Sequence, residues 1–233
     1  MKEQCPDIPR GCPAVLVMGR LPEAGRVKTR LARRYGQTTA VALHTAFLRD
    51  TLAHAVAAAT SLGGRAVFAY EGVGPPSRHG LAGIAAFPQS PGDLGQRQSA
   101  AQAALLDHDA CSVITIGSDS PTLPAPFFRE AWSKRETADL VVAPATDGGY
   151  VLIAVTRRHA DLYSGLEWGT PRVMAALAER ARKLGLTLHR MAAWYDIDDE
   201  AGLQRLRREV GVDPGVAPHT ALALEALPLD PIP

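Results

Sequence analysis

The sequence predicts an α/β protein built on a mostly parallel central sheet with helices on both faces. Three observations point there. Short apolar runs recur without polar alternation, as strands covered on both faces require. Helical patterns separate those runs along the whole chain. Polar segments rich in glycine follow three of the runs, at the strand ends where open α/β sheets gather their ligands.

Taken in order, the expected strands are 14–18 (AVLVM), 65–70 (RAVFAY), 84–87 (IAAF), 112–116 (SVITI), 140–144 (LVVAP), 150–155 (YVLIAV) and 186–191 (LTLHRM). Helices are expected at 37–60, which is very rich in alanine, then at 94–107, 125–135, 170–184 and 199–209. There is no repeat and no clean linker. Residues 1–13 read as an N-terminal extension, 14–210 as the domain, and 211–233 as a proline-rich, loosely packed tail with one short helix.

Composition narrows the function. The 233 residues are 46% hydrophobic, which allows a substantial buried core. A formal net charge of +1 gives no global attraction to nucleic acid or anionic membrane, so neither is an expected partner. No stretch approaches the roughly 20 apolar residues that span a bilayer, and the first thirteen residues do not read as a signal peptide. Cys5, Cys12 and Cys111 form no CxxC pair, so neither a disulfide framework nor a structural zinc site is expected. The expected setting is cytoplasmic.

Against that neutral background, six of the fifteen residues from Arg20 to Arg34 are basic. The segment MGRLPEAGRVKTRL is neither a Walker loop nor GxGxxG. Its glycines and the following helix start nevertheless suit an anion, with Lys28 and Arg30 adding full charges. The plainer alternative is a basic, solvated helix start, which the helix dipole opposes. In GSDSPTLP, Asp119 follows a buried strand, as a ligand to Mg²⁺ or Mn²⁺ would; a helix cap is the plainer reading. Asp147-Gly148-Gly149 offers a carboxylate and open backbone to a polar substrate, or makes a hairpin turn. Of Asp196 and Asp198, one is expected to cap the next helix and the other to supply a second carboxylate. The seven histidines show no ligand spacing and receive no chemical role.

Several motifs in order carry a resemblance. MGRLPEAGRVKTRL resembles FxKxPxxGxVKTRL, and Gly92-Asp93-Leu94-Gly95-Gln96-Arg97 matches GDLGxR. Ser118-Asp119-Ser120-Pro121 matches SDxP, Asp147 to Tyr150 stand as DGGY, and Trp168-Gly169-Thr170 as WGT. Asp196 to Leu203 resembles DxDTPxDL, with Glu200 and Ala201 departing from it. The chain thus resembles the bacterial DUF2064 proteins, also called radical-SAM-associated or arsenosugar-biosynthesis glycosyltransferases. The resemblance implies a single-domain GT-A-like, nucleotide-diphosphosugar transferase fold.

The resemblance also implies roles. Gly19, Arg20, Gly25, Arg26, Lys28, Arg30, Asp93, Arg97 and Ser118 would serve the nucleotide. Asp119, with Asp198 or Asp196, would hold Mg²⁺ or Mn²⁺. Asp147, Gly148, Gly149, Tyr150, Trp168 and Thr170 would face the sugar or a small acceptor, and Asp147, Asp119 and Lys28 would carry the chemistry, Lys28 as an exposed phosphate contact. The implied activity is sugar transfer from a nucleotide sugar. The alternatives are a guanylyl- or cytidylyl-type nucleotidyltransferase using a nucleoside triphosphate and a phosphate monoester, and a non-catalytic nucleotide-binding protein.

Overall fold

The structure, a computed structural model, describes residues 7–227. Cys5, residues 1–6 of the expected extension and residues 228–233 of the expected tail lie outside them.

Seven strands form one sheet: β1 (Pro13–Arg20), β2 (Arg65–Glu71), β3 (Ala85–Pro88), β4 (Ser112–Gly117), β5 (Leu140–Pro144), β6 (Tyr150–Val155) and β7 (Leu188–Arg190). Their order is β3-β2-β1-β4-β6-β5-β7. All run parallel except β6, which is antiparallel to both β4 and β5. Among the described residues seven α-helices accompany the sheet: α1 (Thr29–Tyr35), α2 (Gln37–Ser61), α3 (Leu94–Leu106), α4 (Ala125–Lys134), α5 (Val173–Lys183), α6 (Glu200–Val212) and α7 (Pro218–Ala226).

The strands are apolar without alternation because both of their faces are covered. Val15 and Val17 of β1 pack with Leu48, Leu52 and Ala55 of α2 and with Phe128 of α4. Ala14, Leu16 and Met18, one residue out of phase, pack with Ala101 and Leu105 of α3 and Leu177 of α5 on the opposite face. Period-two alternation therefore persists in direction while disappearing from polarity.

A third cluster joins α1, α2, α6 and α7 through Leu31, Leu43, Phe47, Leu203, Leu206 and Ala221. It corrects the expectation of a loosely packed tail. Asp50, 1% exposed on α2, accepts the N–H groups of His219 at 3.0 Å and Thr220 at 2.7 Å, and so caps α7 from another element. Ala217 and Thr220 are fully buried beside it. The tail's prolines hid this, because what anchors α7 is a carboxylate about 170 positions earlier. The helix start expected after the basic loop is α1, whose extent was not legible in the sequence because seven residues are too few for a periodicity argument.

Among the described residues no helix is long and apolar enough to cross a membrane. Cys12 and Cys111 are free thiols.

Candidate active site

The carboxyl ends of β1 to β5 and the start of the reversed strand β6 meet at one edge of the sheet, around a cleft of about 540 Å³. Of the residues singled out from sequence, Gly19, Arg20, Arg26, Lys28, Arg30, Arg97, Ser118, Asp119, Asp147, Gly149, Tyr150, Trp168, Thr170, Asp196 and Asp198 line it. Gly25, Asp93 and Gly148 do not, and each has a structural task instead.

Gly25 sits at φ +78 with its N–H already given to Gln37 Oε1 at 2.8 Å, so it is no free donor for an anion. Asp93 caps α3: its carboxylate accepts Gln96 N–H at 2.9 Å while Gln96 Oε1 accepts Asp93 N–H at 2.9 Å. Gly148, at φ +96, lies so close to Pro171 that an added Cβ would come within 2.2 Å of its carbonyl oxygen. Asp147-Gly148-Gly149 is also the connection of the antiparallel β5–β6 pair, so the hairpin reading holds. Asp147, in that turn, nevertheless projects to the cleft, with Oδ1 accepting Gly149 N–H at 2.9 Å.

Two expected caps are absent. The N-cap of α4 is Pro124, so Asp119 does not cap it. The N-cap of α6 is Asp199, whose carboxylate accepts Gly202 N–H at 3.0 Å, which leaves both Asp196 and Asp198 to the cleft. The chain brings them there by strand-like extension. Trp194 bridges to Ala145 beyond β7, and Ile197 N–H donates to Asp119 O at 2.9 Å. Ser120 Oγ adds a bond to Tyr195 O at 2.8 Å.

Lys28 is not the exposed contact expected of it. Its side chain is 3% exposed, and its ammonium lies 2.7 Å from Asp119 Oδ1 and 3.1 Å from Asp198 Oδ1. Burial opposes its charge, but the two carboxylates outweigh that and raise its pKa. Burial pushes Asp119 up, but Lys28, His44 and Ser118 together outweigh it, and the group stays below the usual carboxylate range. Asp196 goes the other way: burial, then repulsion from Asp147 and Asp198, raises it to about 6.

At the β1–β3 side, three guanidiniums gather on Glu71 at the end of β2. Arg20 Nε lies 3.2 Å, Arg26 3.1 Å and Arg97 2.6 Å from its oxygens. Burial raises the Glu71 pKa, but its bonds to Arg97 and Arg20 lower it further and the net shift is downward. Arg26 also meets Glu23, and Arg97 donates to Gln89 Oε1 at 3.1 Å. Arg30 is exposed at the rim. Glu71 and Gln89 were missed from sequence, although both stand where a polar residue follows a strand. His44 was given no role; it lies 3% exposed in the cleft wall, donating through Nε2 to Arg20 O at 2.9 Å. Burial lowers its pKa.

The opposite wall is aromatic and brings no lysine or arginine to the cleft. Trp168 leans on Gly95 of α3, where a Cβ would come within 2.9 Å of its ring, and meets Tyr150 edge to face at 6.2 Å. Tyr150 OH donates to Gln98 Oε1 at 3.0 Å. Thr170 Oγ1 is tied to Glu167 O at 2.8 Å.

The mostly parallel sheet with one reversed strand, flanked by helices and with a cleft at its carboxyl edge, is a fold of the nucleotide-diphospho-sugar transferase kind. The model of the family described as "Uncharacterized protein conserved in bacteria (DUF2064)" matches residues 42–170, and the chain belongs to that family. A solved structure described as a "putative nucleotide-diphospho-sugar transferase" from Desulfovibrio desulfuricans G20 superposes with a TM-score of 0.83 at 27% identity, covering 91% of this chain and 94% of that one. The fold is shared more distantly with CMP:2-keto-3-deoxy-manno-octonic acid synthetase complexed with CTP (TM-score 0.52, 13% identity, 87% and 100% covered). It is shared likewise with 4-diphosphocytidyl-2C-methyl-D-erythritol synthase from Anaerococcus prevotii DSM 20548 (TM-score 0.55, 9% identity, 86% and 99% covered). No curated protein matches the chain in sequence.

Proposed function

We propose that the protein is a metal-dependent glycosyltransferase that moves a sugar from a nucleotide sugar to a small, uncharged acceptor. The observation that carries this reading is the division of charge across the cleft. Every Lys or Arg among the described residues that line it, namely Arg20, Arg26, Lys28, Arg30 and Arg97, belongs to the end of β1, the loop after it, α1 or α3; the wall from Ala145 to Val151 and from Trp168 to Val173 supplies none. Arg172, beside that wall, is paired with Glu167 at 2.5 Å. A nucleotidyltransferase has to hold an anionic phosphate acceptor there, which calls for cations. An aromatic wall with one carboxylate suits a hydroxyl-bearing ring instead.

Asp119 and Asp198 fit a divalent cation. Both already converge on one positive charge, and their oxygens are the hard donors that Mg²⁺ and Mn²⁺ take. Among the described residues no three His, Cys, Asp or Glu side chains gather into a metal cluster, so two carboxylates would share the ion with the ligand and water. Bound there, the ion would supply charge neutralisation to a diphosphate leaving group. The guanidiniums of Arg20, Arg26, Arg30 and Arg97 bind the nucleotide's phosphates. The bond from the sugar's anomeric carbon to the diphosphate oxygen breaks, a bond to the acceptor oxygen forms, and Asp147 takes the acceptor's proton through Oδ2.

The test is incubation with Mn²⁺ and ADP-, CDP-, GDP- and UDP-sugars, followed by chromatography of the nucleotides. Release of a nucleoside diphosphate with loss of the nucleotide sugar is expected. Pyrophosphate formed from a triphosphate, with every nucleotide sugar intact, means nucleotidyl transfer. No turnover with retained nucleotide binding means a binding protein.

A further inference from the structure

The Lys28 ammonium meets three oxygens: it donates to Ile197 O at 2.5 Å and to Asp198 Oδ1 at 3.1 Å, and it lies 2.7 Å from Asp119 Oδ1 as an ion pair. Its side chain is 3% exposed, against 37% for Asp119 and 53% for Asp198. The lysine therefore approaches both acids from the protein side while their open sides face the cleft. The oxygen of each acid nearest to it is Oδ1, and Ser118 Oγ also approaches that of Asp119 at 3.3 Å. Among the described residues no hydrogen bond reaches Oδ2 of either acid.

The backbone shows the same commitment. Lys28 lies at φ 44 and ψ 46, one of two non-glycine residues with positive φ among those described. A side chain adopts that region at a cost, which its surroundings must offset. Here the strained residue ends among three oxygens, two of them from carboxylates. To reach a phosphate, the ammonium would have to give up one of those contacts. Arg20, Arg26, Arg30 and Arg97 reach the cleft without doing so.

We propose that Lys28 is a positioning residue and not a phosphate ligand: by clamping the Oδ1 atoms of Asp119 and Asp198 it turns their Oδ2 atoms together into the cleft as the seat of a divalent cation. This rests on the reading of those two acids as the cation's ligands. It joins three segments distant in sequence, the β1 loop, the turn after β4 and the residues before α6, into one preformed site. Metal-ligand carboxylates held in this way bind more tightly because their orientation is set in advance.

The experiment titrates Mn²⁺ into the wild-type chain and into Lys28→Met, with ADP, CDP, GDP or UDP present, counting free Mn²⁺ by electron paramagnetic resonance. The substitution makes the site more negative, which by charge alone tightens binding. Loss of orientation is expected to win, weakening Mn²⁺ about tenfold or more. In parallel, the wild-type chain is treated with an amine-modifying reagent and its peptides are weighed. Lys28 is expected to stay unmodified with and without Mn²⁺ and nucleotide, while exposed Lys134 and Lys183 react. Equal or tighter Mn²⁺ binding by Lys28→Met, or labelling of Lys28 once Mn²⁺ and nucleotide are added, overturns the proposal. Labelling of the wild type decides it even if the variant fails to fold. Absence of Mn²⁺ binding by the wild type under all four conditions removes the cation reading itself, and this inference with it.

Discussion

Asp196 shows how one side chain can report on the whole acidic end of the cleft. Burial and the neighbouring carboxylates of Asp147 and Asp198 raise its pKa from 3.8 to about 6. The folded chain thus holds this proton more tightly than the unfolded chain does. The favourable contribution is fully present below about pH 4 and is lost as pH rises through about 6. At pH 7 the unprotonated acid is therefore a liability. Asp196→Asn is expected to stabilise the protein there by about 1–2 kcal/mol, a figure discounted because the side chain is only partly buried. Urea unfolding at pH 7 and pH 4 checks this, and the gain should vanish at the lower pH. A gain of the same size at both would mean that packing, not charge, sets the effect.

At the scale of the element, the β5–β6 hairpin and the segment before α5 depend on contact at a single glycine. Gly148 combines φ +96 with a backbone neighbour, Pro171, that cannot yield, and its carbonyl accepts Met174 N–H at 2.9 Å. Gly25 has a similar φ of +78 but open space around it. The pair separates strain from collision. Gly148→Ala is expected to destabilise by about 3 kcal/mol or more, and Gly25→Ala by about 1 kcal/mol. Chemical denaturation of both variants tests the difference; equal losses would refute the collision. Sequence reasoning saw the same Asp-Gly-Gly as either a turn or a ligand surface. It is a turn whose Asp147 and Gly149 line the cleft, because β6 runs antiparallel and brings its turn to the edge where the parallel strands end.

For the whole molecule, the third core cluster makes α7 part of the cooperative unit. Of the two N–H groups that Asp50 accepts, Thr220's is buried and His219's partly so, and Asp50→Ala leaves both without that partner and removes a charge from the helix N-terminus. A loss of about 2–4 kcal/mol is expected, or roughly 5–12 °C in a chain of this size. Circular dichroism and tryptophan fluorescence should report one shared transition at the lower temperature. An early separate transition would show that α7 melts alone, as a tail would.

Much of this protein was decided along the chain. The apolar runs determined seven strands because doubly covered strands leave no polar face to confuse the pattern, and the turn chemistry after β1, β4 and β5 marked most of the cleft wall. Only tertiary structure decided which charges meet. Lys28 reads as a solvated cation beside Thr29 and Arg30 and becomes a buried one because Asp119 and Asp198 close over it. Glu71 reads as a strand end and becomes the centre of three arginines. Asp199, not its neighbours, caps α6, and Asp50 caps a helix about 170 residues away. The physical reason is common to all four. Hydrophobic periodicity is local and repeats, so a chain displays it openly; the energy of a charge depends on its surroundings, and folding assembles those from segments that sequence keeps apart.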